Sequence, residues 1–214
     1  MYRGALRLFC MGVVMVMSAG ASPLVHGSEI KGKILCFGDS ITAAKDSWAD
    51  RLGAKSQKIR IFKAGRNGRK TSDSENELPP VLALYPDTEV VLFFLGVNDL
   101  WRDDINLVVK NMSWMIDQVK ARIPKVRVVV LAPVNVSLLM MSEKAKKRDH
   151  SKKMVKALAL LSQRYKVLAQ EKGVGFINLY DVVSPKNFLD GVHPNQAGQQ
   201  QIADAVWKGL VAGQ

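Results

Sequence analysis

Five short apolar runs, separated by longer stretches with helical spacing, constrain the fold of this chain more than any other feature. They are Lys33 to Phe37, Lys58 to Phe62, Val90 to Leu95, Val126 to Leu131 and Val174 to Leu179, and they are rich in Val, Ile and Phe. Runs of this length that are apolar at successive positions read as strands buried on both faces. Between Ile105 and Ile123 the apolar residues Ile105, Val108, Val109, Met112, Met115, Ile116 and Val119 fall on one helical stripe. Further helices are expected over Ser47 to Ser56, Ser72 to Leu84, Asp149 to Lys172 and Gln196 to Val211, with Gly173 as a stop and Pro194 near a start. Strands alternating with helices imply a parallel sheet covered on both faces.

The chain has 214 residues, 48% of them hydrophobic and 23% charged, which suits one globular domain and excludes a disordered one. The first 27 residues read differently. Arg3 and Arg7 form a positive n-region, Leu8 to Met17 an apolar h-region, and small residues follow. That is the pattern of a secretory signal peptide, with cleavage expected after Ala21 or after Gly27, leaving residues 28–214 as the exported domain. The h-region is shorter than the ~20 residues that span a bilayer, so no stable membrane insertion is expected. Removal of the leader takes Cys10 and leaves Cys36, so the domain is expected to rely on its core rather than on an internal disulfide. Cys36 lies within the first strand run, where a buried hydrophobe is expected.

The formal charge is +12, and the leader holds two of the positive groups and no negative ones. Such a balance favours acidic surfaces. The basic residues are scattered, however, and the one dense run, Lys144 to Arg148 with Lys152 and Lys153, reads as a solvated helix face, so a nucleic-acid partner is not expected.

In a doubly wound sheet of order 2-1-3-4-5 the first and third strands are neighbours, and their C-terminal ends open into a crevice. Ser40, in Gly38-Asp39-Ser40, and Asn98, in Gly96-Val97-Asn98-Asp99, stand at those two ends. The loop Ala64 to Thr71 borders the same crevice, and the loop after the fifth strand brings in Asp190-Gly191-Val192-His193. A serine hydroxyl needs an adjacent base to become a nucleophile. His193 stands three residues after Asp190 in a turn, so one loop can present both base and orienting carboxylate, whereas His150 lies in a basic stretch that reads as surface. The expected roles are Ser40 as nucleophile, His193 as general base and then acid, and Asp190 as the group that holds the imidazole tautomer. The oxyanion donors are the Ser40 and Gly68 backbone N–H groups and the Asn98 amide. Asp39 is expected to be structural, accepting backbone N–H bonds. Trp101, Arg66 and Arg69, with Lys70 beside them, are candidates for binding a sugar ring or an anionic group.

Taken together these blocks resemble the SGNH hydrolases, also called the GDSL esterase and lipase family, over roughly Ile34 to Ile202. Ser40, Gly68, Asn98 and His193 match the four residues for which that family is named. The chain departs from the pattern in Ile41, where the family name has Leu, and in the two residues between Gly68 and Thr71, which leave Gly65 as the alternative glycine. The resemblance implies a flavodoxin-like three-layer α/β/α sandwich and metal-free, cofactor-free ester hydrolysis through an acyl-serine. The Gly-x-Ser-x-Gly elbow of the other large esterase fold is absent, because Thr42 occupies its second glycine position.

The expected function is an exported carboxylic-ester hydrolase acting on short acyl groups, acetyl above all, carried by a carbohydrate. The alternative within the family is a lysophospholipase or thioesterase, with Leu138 to Met141 as the acyl-chain wall, although those residues suit core packing better. Outside it, the alternative is a non-catalytic module that binds polyanions or carbohydrate. No metal site is expected, since His193 and His150 lack neighbouring ligands at metal spacing.

Overall fold

Side chains alternate across a strand, so a strand apolar at every position fills two separate cores. The first run is such a strand. The computed structural model describes Met1 and residues 30–101, 104–143 and 149–213; residues 2–27 of the expected leader and the basic run Lys144–Arg148 lie outside the described residues. Strand β1 (Gly32–Gly38) sends Ile34 and Cys36 into one core and Leu35 and Phe37 into the other, all at 0% exposure. Burial pushes the Cys36 thiol far up, so it stays protonated and inert.

The remaining strands are β2 (Ile59–Gly65), β3 (Val90–Phe94), β4 (Arg127–Leu131) and β5 (Gly175–Ile177). They form one parallel five-stranded sheet in the order β2-β1-β3-β4-β5, the doubly wound order expected. Helices are α1 (Ser40–Ala43), α2 (Trp48–Gly53), α3 (Ser74–Leu84), α4 (Ile105–Arg122), α5 (Asp149–Lys172) and α6 (Gln196–Ala212). Trp48 and Leu52 of α2 and Ile202 and Val206 of α6 cover the first core. Leu78 of α3, Met112, Met115 and Ile116 of α4 and Tyr165 of α5 cover the second. The result is an α/β/α sandwich.

The ends of the elements depart from expectation where side chains compete with the regular backbone pattern. β5 stops at Ile177 rather than Leu179, because Asn178 Oδ1 accepts both the Ser162 hydroxyl and the Tyr180 N–H at 3.1 Å, which turns the chain out of the sheet. α3 begins at Ser74, after a 3₁₀ turn over Thr71–Asp73 held by Asp99. Within the 138–141 segment Met141 is buried, whereas Leu139 and Met140 are exposed.

The register fixes where the functional loops start. Gly38 pairs with Gly65 on one side and with Phe94 on the other, so β1, β2 and β3 reach the same rim of the sheet. Gly65 is a close-approach position: a Cβ there would lie 2.3 Å from the Ala43 backbone nitrogen. Its lack of a side chain lets α1 pack against β2.

Candidate active site

Asp39 ends the first strand–helix turn. It caps α1 by accepting the Ile41 N–H on Oδ1 at 2.9 Å, and it is 2% exposed. Ser40 is therefore the first residue of α1, where backbone N–H groups have no partner within the helix. Its Oγ lies 3.1 Å from His193 Nε2, across 153 residues of sequence.

The Asp190–His193 turn is built by one carboxylate. Asp190 Oδ1 accepts the N–H groups of Val192 at 2.9 Å and His193 at 2.8 Å, while Oδ2 lies 2.8 Å from His193 Nδ1. An ionised carboxylate facing Nδ1 keeps the proton there and leaves Nε2 as an acceptor for the Ser40 hydroxyl. Partial burial pushes the Asp190 carboxyl up, but the bonds from His193 and Val192 outweigh it and hold the group below the usual carboxylate range. Both side chains remain open to solvent, at 56% for Asp190 and 45% for His193. The turn rests on the segment after β4, where Ser137 donates its N–H to Gly191 O at 2.7 Å. Gly191 has φ +90°, and a Cβ there would meet Met141 Cγ at 2.4 Å and Ser137 O at 2.7 Å. Only glycine fits that seat.

The oxyanion side is assembled from two other loops. Asn98 Nδ2 donates to Arg69 O at 3.1 Å, which uses one of its two hydrogens and leaves the other for the cleft. Gly68 has φ +72° with nothing within 4 Å of where a Cβ would lie, so no side chain and no neighbour blocks approach to the loop at that point. Ser40, Gly68, Asn98 and His193 share the lining of one cleft of about 560 Å³ with Ile41, Ala44, Asn67, Leu189, Pro194 and Gln199. Gly65 lies outside that lining.

Three candidates for substrate contact are placed elsewhere. Arg69 is 5% exposed and turned inward: it donates to Gly38 O at 2.7 Å, to Ala64 O and to Glu77 at 2.7 Å, and its guanidinium lies 4.0 Å from the Phe37 ring centroid. Burial draws its pKa down while Glu77 opposes the shift. Arg66 is exposed but engaged by Glu77 and Asp73. Trp101, in the 3₁₀ turn Asp99–Trp101 that contacts α4 and α5, packs against the first core. Arg66 and Arg69 thus brace the 66–70 loop, and the cleft wall is built by other side chains. His150 lies in the first turn of α5, and its side chain is outside the described ones.

Sequence reasoning overlooked Gln199 and Leu189. Gln199 accepts the Trp48 N–H at 2.8 Å and donates to Ile41 O at 3.2 Å, tying α6 to α2 and to α1, the helix that Ser40 opens. Nothing in the sequence marks a helical glutamine for that task. Leu189 is 69% exposed at the cleft edge; its place directly before Asp190 was the available signal.

Beneath the site lies a second carboxyl. Burial pushes Asp39 up to about 7, opposed by the Ile41 N–H and by the charges of His193 and Arg69, and reinforced by Asp99. Among the described residues no three His, Cys, Asp or Glu side chains gather as a metal site would require, and no helix is long and apolar enough to cross a membrane.

The arrangement places a serine hydroxyl, an imidazole and a carboxylate in one hydrogen-bonded line, with Gly68 and Asn98 lining the same cleft. A sequence profile of the GDSL-like Lipase/Acylhydrolase family matches residues 36–201. No curated protein sequence matches the chain. Among solved structures, the native aryl esterase of M. smegmatis superposes with a TM-score of 0.72 at 22% identity, covering 86% of this chain and 99% of that one. Est24, a carbohydrate acetylesterase from Sinorhizobium meliloti, gives 0.72 at 23% identity, with 86% and 100% covered. Axe2, an acetylxylan esterase from Geobacillus stearothermophilus, gives 0.68 at 17% identity, with 83% and 93% covered. Likeness at these identities is likeness of fold.

Proposed function

Since the chain belongs to the GDSL-like lipase/acylhydrolase family, we propose that it is an exported serine esterase that removes short acyl groups from carbohydrate, with Ser40 as nucleophile. The observation that carries this reading is the relay from Ser40 Oγ to His193 Nε2 at 3.1 Å and from His193 Nδ1 to Asp190 Oδ2 at 2.8 Å. In the first half-reaction Ser40 Oγ bonds to the ester carbonyl carbon while its proton passes to Nε2. The carbonyl oxygen gains the negative charge and meets the Ser40 and Gly68 N–H groups and the free Asn98 hydrogen. Collapse breaks the carbon–alkoxide bond, and the imidazolium returns the proton to the departing alcohol. In the second half-reaction His193 takes a proton from water, the resulting hydroxide attacks acyl-Ser40, and the acid leaves as Ser40 recovers its proton.

The short acyl preference is supported by the cleft. Its apolar wall is limited to Ile41, Ala44, Leu189 and Pro194 around an open basin of about 560 Å³. Such a wall suits an acetyl group, and the open basin leaves room for a polar alcohol. The carbohydrate acetylesterase and the acetylxylan esterase that share the fold point the same way. Export rests on the leader pattern of the first 27 residues. The exposed Leu139, Met140 and Leu189 favour a second reading, in which a longer acyl chain lies along that rim.

Turnover of p-nitrophenyl acetate, octanoate and palmitate by the wild type and by Ser40→Ala decides between them. Loss of acetate turnover by a factor of 10³ or more in Ser40→Ala, roughly the weight of a triad member, is expected. Wild-type rates in that variant overturn the mechanism, and a preference for palmitate overturns the short acyl reading.

A further inference from the structure

A second concavity, of about 360 Å³, lies between the 3₁₀ turn at Thr71 and helix α4. Its wall is the Trp114 indole with Leu107 beside it, and its polar groups are Ser72, Glu75, Lys110 and Asn111. None of these belongs to the catalytic cleft. Trp114 is half-buried, its inner part packed on the second core.

What distinguishes this concavity is that its polar groups are uncommitted. The basic residues Arg66 and Arg69 of the loop before Thr71 are both bound to carboxylates. By contrast, among the described residues the side chains of Ser72, Glu75 and Lys110 and the Trp114 indole N–H make no hydrogen bond or ion pair within the chain. Asn111 spends one amide hydrogen on Thr71 Oγ1 at 3.1 Å and keeps its carbonyl oxygen. The concavity therefore offers both donors and acceptors around an aromatic face, with one carboxylate against one ammonium and no net charge. An anion would meet Glu75, and a purely apolar ligand would strand the polar groups. A neutral ring bearing hydroxyls fits both demands: its C–H face lies on the indole and its hydroxyls meet the rim.

We infer that the Trp114 concavity is a saccharide-binding site, separate from the catalytic cleft. The inference deepens the carbohydrate-ester reading and takes its class of ligand partly from it. Position supports the link. Gly68 lines the cleft and Ser72 the concavity, and four residues of chain span at most about 14 Å. Thr71, shared between the concavity and the loop, donates its N–H at 2.9 Å and its hydroxyl at 2.6 Å to Asp99, the neighbour of Asn98. An oligosaccharide seated on Trp114 is thus held beside the loop that carries the oxyanion donors.

The test uses protein carrying Ser40→Ala, so that nothing is turned over, and three neutral tetrasaccharides built of xylose, glucose or N-acetylglucosamine. Binding is followed by the indole N–H resonances of the four tryptophans, with the Trp114 signal identified by its loss in Trp114→Leu. At least one tetrasaccharide is expected to shift the Trp114 signal in a saturable way. Glu75→Ala with Lys110→Ala, a surface pair that leaves the packing intact, is expected to weaken that binding about tenfold, the scale of one lost bond to a charged group. Trp114→Leu, whose affinity is read by isothermal titration calorimetry alongside the parent and the double variant, is expected to weaken it further. A Trp114 signal that moves with none of the three sugars, or an affinity unchanged in both variants, overturns the inference. Turnover of p-nitrophenyl acetate by the wild type reports on the esterase reading separately, because binding is read on a chain without the nucleophile.

Discussion

Asn98 Nδ2 donates to the Arg69 carbonyl at 3.1 Å, so the loop after β3 is bound to the loop after β2 at the cleft that Ser40 lines. One side chain thereby ties together the two loops that carry two of the three proposed oxyanion donors, Asn98 and Gly68. Substituting Asn98 by Ala is expected to lower kcat on p-nitrophenyl acetate by about 10²- to 10³-fold with little change in KM, the pattern of a bond that strengthens in the transition state. An unchanged kcat with a lowered melting temperature would show that Asn98 serves the resting fold instead.

Asp190→Asn preserves the size of the group and, through Oδ1, the bonds to Val192 and His193, but it places an amide opposite Nδ1. The imidazole is then driven to the wrong tautomer, and kcat is expected to fall by about 10²- to 10⁴-fold, with the smaller figure favoured by the 56% exposure of the carboxylate. The stability effect has a definite pH window. A carboxyl held below its free value of 3.8 stabilises the fold above that value and ceases to do so as pH falls through its lower folded pKa. Melting temperatures of the wild type and the variant should therefore converge in acid and separate above about pH 4; convergence at neutral pH would contradict the assignment.

Asp39 has the opposite sign. Its folded pKa of about 7 lies above the free value of 3.8, so between those values the fold binds a proton that the unfolded chain has released, and stability falls as pH rises. Asparagine keeps the Oδ1 cap on Ile41 and does not titrate. The melting temperature of Asp39→Asn relative to wild type is expected to rise by several degrees between pH 4.5 and pH 8; a flat difference would place the Asp39 pKa near its ordinary value.

Arg69 joins β1, β2 and α3 through Gly38, Ala64 and Glu77 at 5% exposure. Arg69→Ala removes the guanidinium bonds to the Gly38 and Ala64 carbonyls and leaves Glu77 with Arg66 alone, and it is expected to cost about 2 to 3 kcal/mol in a denaturant titration. If Arg69 instead bound substrate, the variant would unfold like wild type and lose only affinity, raising KM.

The fold was largely legible because strand and helix patterns are local. The run Ile34 to Phe37 is apolar at every position, which requires two covering layers, and the stripe from Ile105 to Val119 supplies one of them. The doubly wound order followed from parallel strands joined by helices, and the register of Gly38 with Gly65 and Phe94 then set three loops on one rim. Boundaries were less legible where a single side chain redirected the backbone, as Asn178 does at the end of β5. The substrate-contact residues were legible only as residue types: Arg66, Arg69 and Trp101 are the kinds of side chain that bind sugars or anions, and each is engaged within the protein.

The sequence by itself determined which chemistry was available, a serine, an Asp-x-x-His turn, an asparagine and a glycine, each placed after a strand or in a loop, since residue identity and local periodicity need no tertiary contact to be read. Only the tertiary structure decided that Ser40 and His193 meet at 3.1 Å across 153 residues, that Gly68 rather than Gly65 faces the cleft, and that Arg69 points inward. Those outcomes depend on strand register and on which neighbour satisfies a charge first. Glu77 and the Gly38 carbonyl reach Arg69 before any substrate does, and no local pattern records that competition.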